Sequence, residues 1–231
     1  MDEMKQKESL AQKKMSRADF LKGMGKSVAG ITLVGGMSAF LAGCENEAAA
    51  PADNTVSTPQ GAPEWPFEYV EVDISKAEAR AYNAYKTQGG WGIGVAEGLF
   101  GTMADEVGYP FNQIPTGAYI NASGGYQSSS LCGTIGAAAA FIGTVAEKDT
   151  AKQIIKDLIA WYKEADMPIY QPEELQLPTT VANSEICYDS VSNFMTESGY
   201  GYSDPERKQR CAGVTADVTR KTLELLNDAL L

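Results

Sequence analysis

Thirteen residues, Leu131 to Gly143, read Leu-Cys-Gly-Thr-Ile-Gly-Ala-Ala-Ala-Ala-Phe-Ile-Gly, and seven of them are Gly or Ala. A helix with so little side chain lets other backbones approach closely, so it belongs at the centre of a helical core rather than on its surface. The hydroxyl run Ser128-Ser129-Ser130 leads into it, and Ser129 or Ser130 is expected to cap its first turn. That places Cys132 in the first turn, where the positive end of the helix dipole favours a thiolate. Taken alone, Cys132 is more simply read as a small buried apolar residue.

The composition narrows the chemistry further. The 231 residues contain no histidine, which removes His-based zinc sites, Ser-His-Asp and Cys-His catalysis and histidine-ligated haem together. A formal charge of −11 argues against a nucleic-acid partner, since no broad face can neutralise phosphates. The chemistry must rest on Cys, carboxylates, Tyr, Lys, Met or a bound cofactor.

Residues 1–43 read as an export signal. They carry seven basic and four acidic residues and a glycine-rich, mildly hydrophobic run from Gly23 to Gly43. Leu41-Ala42-Gly43-Cys44 resembles the bacterial lipoprotein cleavage box, with Cys44 as the lipidated residue. Ser16-Arg17-Ala18-Asp19-Phe20-Leu21-Lys22 resembles the twin-arginine motif with Ala18 at the second arginine. Such a segment is an address, not a membrane span. Without it the chain carries −14. The expected product is an acidic protein held by acyl chains in the cell envelope, facing the periplasm or exterior. Residues 44–64 are rich in Ala, Pro, Asn, Thr and Ser and read as a flexible tether, leaving 65–231 as the folded domain.

That domain reads as all-α, a compact bundle of about six helices with long loops. Ser75-Lys76-Ala77-Glu78 has the form of a capping box opening a helix to Lys86, closed by Gly89-Gly90. Val95, Leu99, Met103 and Val107 form one apolar stripe over Val95–Val107. Asp149 or Thr150 is expected to cap a helix to about Ala165, with Ile154, Ile155, Leu158, Ile159 and Tyr162 facing the core. Pro168 to Pro178 is irregular. Asn183 or Ser184 opens a helix that Gly199 closes. Ser203-Asp204-Pro205-Glu206 starts a last helix running to the C-terminus. Strands are at most minor, and the absence of βαβ alternation argues against a two-lobed solute-binding protein.

Three cysteines remain: Cys132, Cys187 and Cys211, each on the inward stripe of an expected helix. They allow a disulfide plus a free thiol, a shared cluster site with a fourth ligand from elsewhere, or plain core residues. Arg207, Lys208 and Arg210 would stabilise a Cys211 thiolate if they faced it; a solvent-facing helix start is the commoner arrangement. Gly89–Gly94 and Gly124-Gly125 permit close approach of an anion or flat cofactor, although loop geometry is the simpler account. Trp161, Tyr162 and Tyr170 can line a pocket or, more commonly, pack a core.

Several segments carry a family likeness: Gly89-Gly90-Trp91, Gly94-Val95-Ala96-Glu97-Gly98-Leu99-Phe100-Gly101, Leu131–Ala140, Pro205-Glu206-Arg207-Lys208-Gln209-Arg210-Cys211, Thr215-Ala216-Asp217-Val218 and Thr222–Asn227. Together they resemble the redox-active protein family with four cysteines and a CGAxxG motif, in its exported, cytochrome-containing branch. The motif here is Cys132-Gly133-Thr134-Ile135-Gly136-Ala137, and the family's first cysteine falls at Trp91. The resemblance implies redox or cluster thiols at Cys132, Cys187 and Cys211, with an iron–sulfur cluster as the cofactor to test. It also implies an unidentified redox partner and a homodimer. With no C-x-x-C-H and no histidine, the sequence speaks against haem. The function expected is electron transfer or thiol redox by an exported, lipid-anchored protein. The alternative is a non-catalytic envelope binding or scaffold protein whose redox site has degenerated, as a tryptophan at a cysteine position suggests.

Overall fold

The computed structural model describes residues 63–231, so the export segment, Cys44 and nearly all of the tether lie outside the described residues. The described chain is mostly helical, with seven α-helices and one two-stranded sheet. Helix α1 is Ile74–Ala84 and ends in a π-turn, Tyr85–Gly89. Helices α2 (Trp91–Ala96) and α3 (Thr102–Glu106) flank the π-turn Glu97–Gly101 and form one rod with it. Then come α4 (Gly133–Val145), α5 (Lys148–Glu164), β1 (Asp166–Met167), β2 (Thr180–Val181), α6 (Cys187–Ser198) and α7 (Pro205–Leu230). Strands β1 and β2 pair antiparallel, with Asp166 opposite Val181. Among the described residues no helix is long and apolar enough to cross a membrane.

Helix α7 is the axis. Every residue from Cys211 to Thr219 is buried, and α1, α2, α4 and α5 all pack on it. Its buried threonines need no outside partner: the hydroxyls of Thr215, Thr219 and Thr222 donate to the carbonyls of Cys211, Thr215 and Val218 at 2.7–2.9 Å. Helix α2 wedges in closely because Gly94 faces the Thr215 methyl, where a Cβ would stand 2.5 Å away. Arg220 clamps α7 to α1 through two hydrogen bonds to the buried Glu78 carboxylate, 2.7 and 2.5 Å, the fork geometry that suits guanidinium and carboxylate. As its composition demands, α4 is internal. Phe141 meets Phe100 edge-on at 4.9 Å, and Gly133 presses against the backbone of Ala122.

The helix starts differ in detail from the sequence expectation. Asp73, not Ser75, caps α1, accepting from the Ser75 and Lys76 amides. Glu147 precedes α5 and Ile186 precedes α6, neither with a side-chain cap. Ser129 and Ser130 do not cap α4: Cys132 itself holds the N-cap position, and the Ser130 hydroxyl turns back to the Gly125 carbonyl. Of the expected stripe, Val95, Leu99 and Met103 are fully buried, while Val107, past the helix end, is exposed.

Asp217 anchors the irregular excursion after β1. Its carboxylate, 2% exposed, accepts from the Ile169 and Tyr170 amides, both at 2.8 Å. Burial outweighs those amides and pushes the group from 3.8 up to about 6. The folded state therefore holds this proton more tightly than the unfolded chain. The stability it contributes is full below about pH 4 and is lost as pH rises through about 6, a swing of roughly 3 kcal/mol. Asp217→Asn should remove that slope. It should also cost about 1–3 kcal/mol, because one amide oxygen cannot serve both backbone donors. Urea midpoints at pH 4.5 and 7.0 check this; a variant retaining the wild-type pH slope would refute the assignment.

Candidate functional site

An isolated antiparallel bridge, Leu131 with Ile186, sets the site. The Cys132 amide donates to Glu185 O at 2.9 Å and the Cys187 amide to Ser130 O at 2.7 Å. The starts of α4 and α6 are thereby held side by side, with Cys132 preceding one and Cys187 opening the other. Cys211 enters from α7. All three thiols are free and buried, and the charge state of Cys187 responds to both Cys132 and Cys211. Cys187 and Cys211 share one small apolar cluster, while Cys132 belongs to the main core.

The loop before Cys132 wraps Cys187. Gly125, at φ +61, leaves no room for a side chain: a Cβ there would lie 2.9 Å from the Cys187 Cβ. Tyr126, Gln127 and Ser129 also adopt positive φ, a conformation costing non-glycine residues on the order of 1 kcal/mol or more each.

The electrostatics of the three sulfurs differ. Around Cys211, burial pushes the thiol up, but Arg207, Arg210 and a hydrogen bond from the Trp91 indole together carry it below its usual value. Arg207 Nη1 stands 3.8 Å from the sulfur and its Nε donates to Tyr202 O at 2.6 Å. Cys187 goes the other way: burial first, then Cys132 and Cys211, raise it well above an ordinary thiol. Beyond Cys132, the Tyr162 hydroxyl reaches that sulfur and Ser190 Oγ (3.0 Å), and Ser190 accepts from Arg210 Nη2 at 2.8 Å. Burial, then Cys132, lift Tyr162 well above the usual phenol value. Arg207 and Arg210 are each 2% exposed, and among the described residues neither forms a carboxylate ion pair. A buried cation without a close carboxylate is costly unless another group answers it; both arginines favour the ionised form of Cys211, and Arg210 also favours the Asp217 carboxylate.

Over Cys211 lies an open cleft of about 530 Å³, lined in part by Tyr85, Trp91, Gln127, Tyr202, Arg207 and Lys208. Arg207 sits over both the Tyr202 ring (4.5 Å) and the Trp91 ring (5.6 Å). Trp91 meets Tyr85 edge-on at 5.6 Å. Trp91 and Arg207 thus form the floor between the cleft and the thiol.

The arginines correct the sequence expectation, since Arg207 and Arg210 face the sulfur and only Lys208 is solvent-exposed. Of the aromatics weighed from sequence, Tyr162 joins the thiol network. Trp161 packs at the edge of the main core, and Tyr170 packs on Tyr82. Sequence reasoning missed Trp91 as a donor and the Ser190–Tyr162 relay.

Comparison with known proteins identifies the family. The family description "Putative redox-active protein (C_GCAxxG_C_C)" matches residues 95–225, more than half of the chain. The chain belongs to this redox-active protein family. This family member is also 27% identical to the split-Soret cytochrome c of Desulfovibrio desulfuricans over 224 residues, 92% of this chain and 78% of that protein. Its fold is similar to a solved structure titled as a novel iron centre in the split-Soret cytochrome c from the same species. The TM-score is 0.68 and the identity 26%, over 70% of this chain and 71% of that one.

Among the described residues no group of three or more His, Cys, Asp or Glu is placed to hold a metal ion. The cluster expected at Cys132, Cys187 and Cys211 therefore has no ready ligand set. The Trp91 indole and the Arg207 guanidinium both stand against Cys211, and the second is a cation that would repel a metal. The sequence supplies neither histidine nor C-x-x-C-H, the residues that bind and attach a c-type haem.

Proposed function

We propose that this redox-family protein is exported, lipid-anchored at Cys44, and moves electrons by reversible thiol–disulfide conversion at Cys187 and Cys211. The observation that carries this is the placement of the pair: Cys187 and Cys211 lie buried in one small cluster with the Arg207 guanidinium 3.8 Å from the Cys211 sulfur, an arrangement that lowers Cys211 while burial raises Cys187. Oxidation joins the Cys211 thiolate and Cys187 thiol in an S–S bond, releasing one proton from Cys187 and two electrons to a partner. Reduction reverses each step. Cys132, linked to Tyr162 and Ser190, supports the chamber.

Full-length protein purified anaerobically, then oxidised or reduced, should differ by two alkylatable thiols on mass analysis. Cys187→Ser and Cys211→Ser should each abolish that difference, and Cys132→Ser should preserve it. Stoichiometric iron and sulfide in the purified protein would replace this proposal with a cluster. Thiols inert in both states would favour the non-catalytic scaffold, for which the tryptophan at position 91 is the supporting observation. Cys44→Ala should release the protein from the membrane fraction.

A further inference from the structure

The cleft above Trp91 has properties that thiol chemistry alone does not require. In a chain of net charge −11 its lining gathers three cations, Lys86, Arg207 and Lys208, against one carboxylate, Glu173. Glu173 is already engaged by Lys86 and by the Tyr82 hydroxyl. Among the described residues Arg207 and Lys208 form no carboxylate ion pair; Arg207 is shared with the Cys211 sulfur, so the exposed Lys208 is the cation the cleft leaves unanswered inside an acidic protein.

Its walls are aromatic. The rings of Tyr85, Trp91 and Tyr202 border the space, and Arg207 lies across two of them. Ser123 is also in the lining, and its Oγ is buried beside Gly90 with no hydrogen-bond partner in the structure. About 530 Å³ is within the range of pockets that enclose small organic ligands. Stacking surface, a buried guanidinium, a rim lysine and an unmet hydroxyl call for a ring system bearing negative charge. Arg207 and the aromatic faces suit its plane, and Lys208 and Ser123 suit its oxyanion.

We infer that this cleft is a binding site for a planar aromatic anion, seated on Trp91 one side chain away from Cys211. Binding does not depend on the disulfide step, so the two proposals can fail separately. Calorimetric titration of reduced full-length protein tests it with three probes: naphthalene-2-sulfonate, methanesulfonate and naphthalene-2-sulfonamide. The first carries ring and charge, the second charge alone, the third the ring alone. Naphthalene-2-sulfonate should bind at least about tenfold tighter than either of the others, the additive expectation when both features are recognised. Lys208→Glu, at an exposed position, should weaken it about tenfold while leaving the thermal midpoint unchanged, and Ser123→Ala should weaken it by a smaller factor. Affinity for the sulfonamide equal to that for the sulfonate, or an unaltered affinity in Lys208→Glu, would overturn the inference. So would no detectable binding of naphthalene-2-sulfonate at millimolar concentration.

Discussion

Gly133→Ala should lower the stability of the protein by about 3 kcal/mol or more, at the upper end of overpacking effects, and its thermal midpoint by roughly 10 °C. The new methyl would stand 2.1 Å from the Ala122 carbonyl oxygen and 2.8 Å from its carbon, both backbone atoms that cannot rotate away. Relief requires α4 to withdraw from the turn before it. Because Cys132 is the residue immediately before Gly133, that withdrawal also shifts the thiol network. A control is Gly143→Ala at the far end of the same helix, where a Cβ meets nothing within 4 Å; it should be neutral or slightly stabilising. Differential scanning calorimetry of the two variants decides the matter, and equal midpoints would show that the close approach at Gly133 is not enforced.

The second large effect is electrostatic. Arg207→Met should keep the volume of the side chain while deleting the charge that most opposes the burial of Cys211. The thiol should then titrate higher, because burial is no longer opposed by the nearest guanidinium. Reaction with a small thiol reagent should slow about tenfold at neutral pH. Arg207→Lys retains a cation but loses the fork between Tyr202 O and the sulfur, so its profile should move by less. The pH dependence of Cys211 modification, followed by mass spectrometry, separates charge from packing. If the methionine variant titrates like the parent, the guanidinium is structural and the asymmetry of the thiol pair has another source. Removing one side of a buried charged contact and the donor to Tyr202 O should also lower the thermal midpoint, so the titration is read on variants shown to be folded at the assay temperature.

Much of this was written in the residue pattern. The small-residue run of α4 demanded a central position and has one. The Asp204-Pro205 start and apolar spacing of α7 located its beginning and its length. The three cysteines were identifiable because each lay on a buried stripe. The arginines were legible in principle. Arg207, Cys211, Val214 and Val218 follow a helical repeat, so a helix that buries Cys211 turns Arg207 inward as well. The general habit of charged residues at helix starts hid that signal. Trp91 could not be assigned a role from the sequence, because its donor contact with Cys211 joins residues 120 positions apart. Positive φ at Tyr126, Gln127 and Ser129 was equally invisible, since none is a glycine. The bridge between Leu131 and Ile186 imposes that loop from outside.

Enclosure of Cys211 beneath an indole and a guanidinium has a kinetic corollary. A sulfur without an open approach is screened from bulky disulfides and protein thiols that meet the surface, whereas an oxidant as small as hydrogen peroxide can still slip past the ring edge. Size would then select which reactants the centre answers to, with Trp91 as the sieve, and swapping that one residue for alanine would erase the selection without touching a single cysteine.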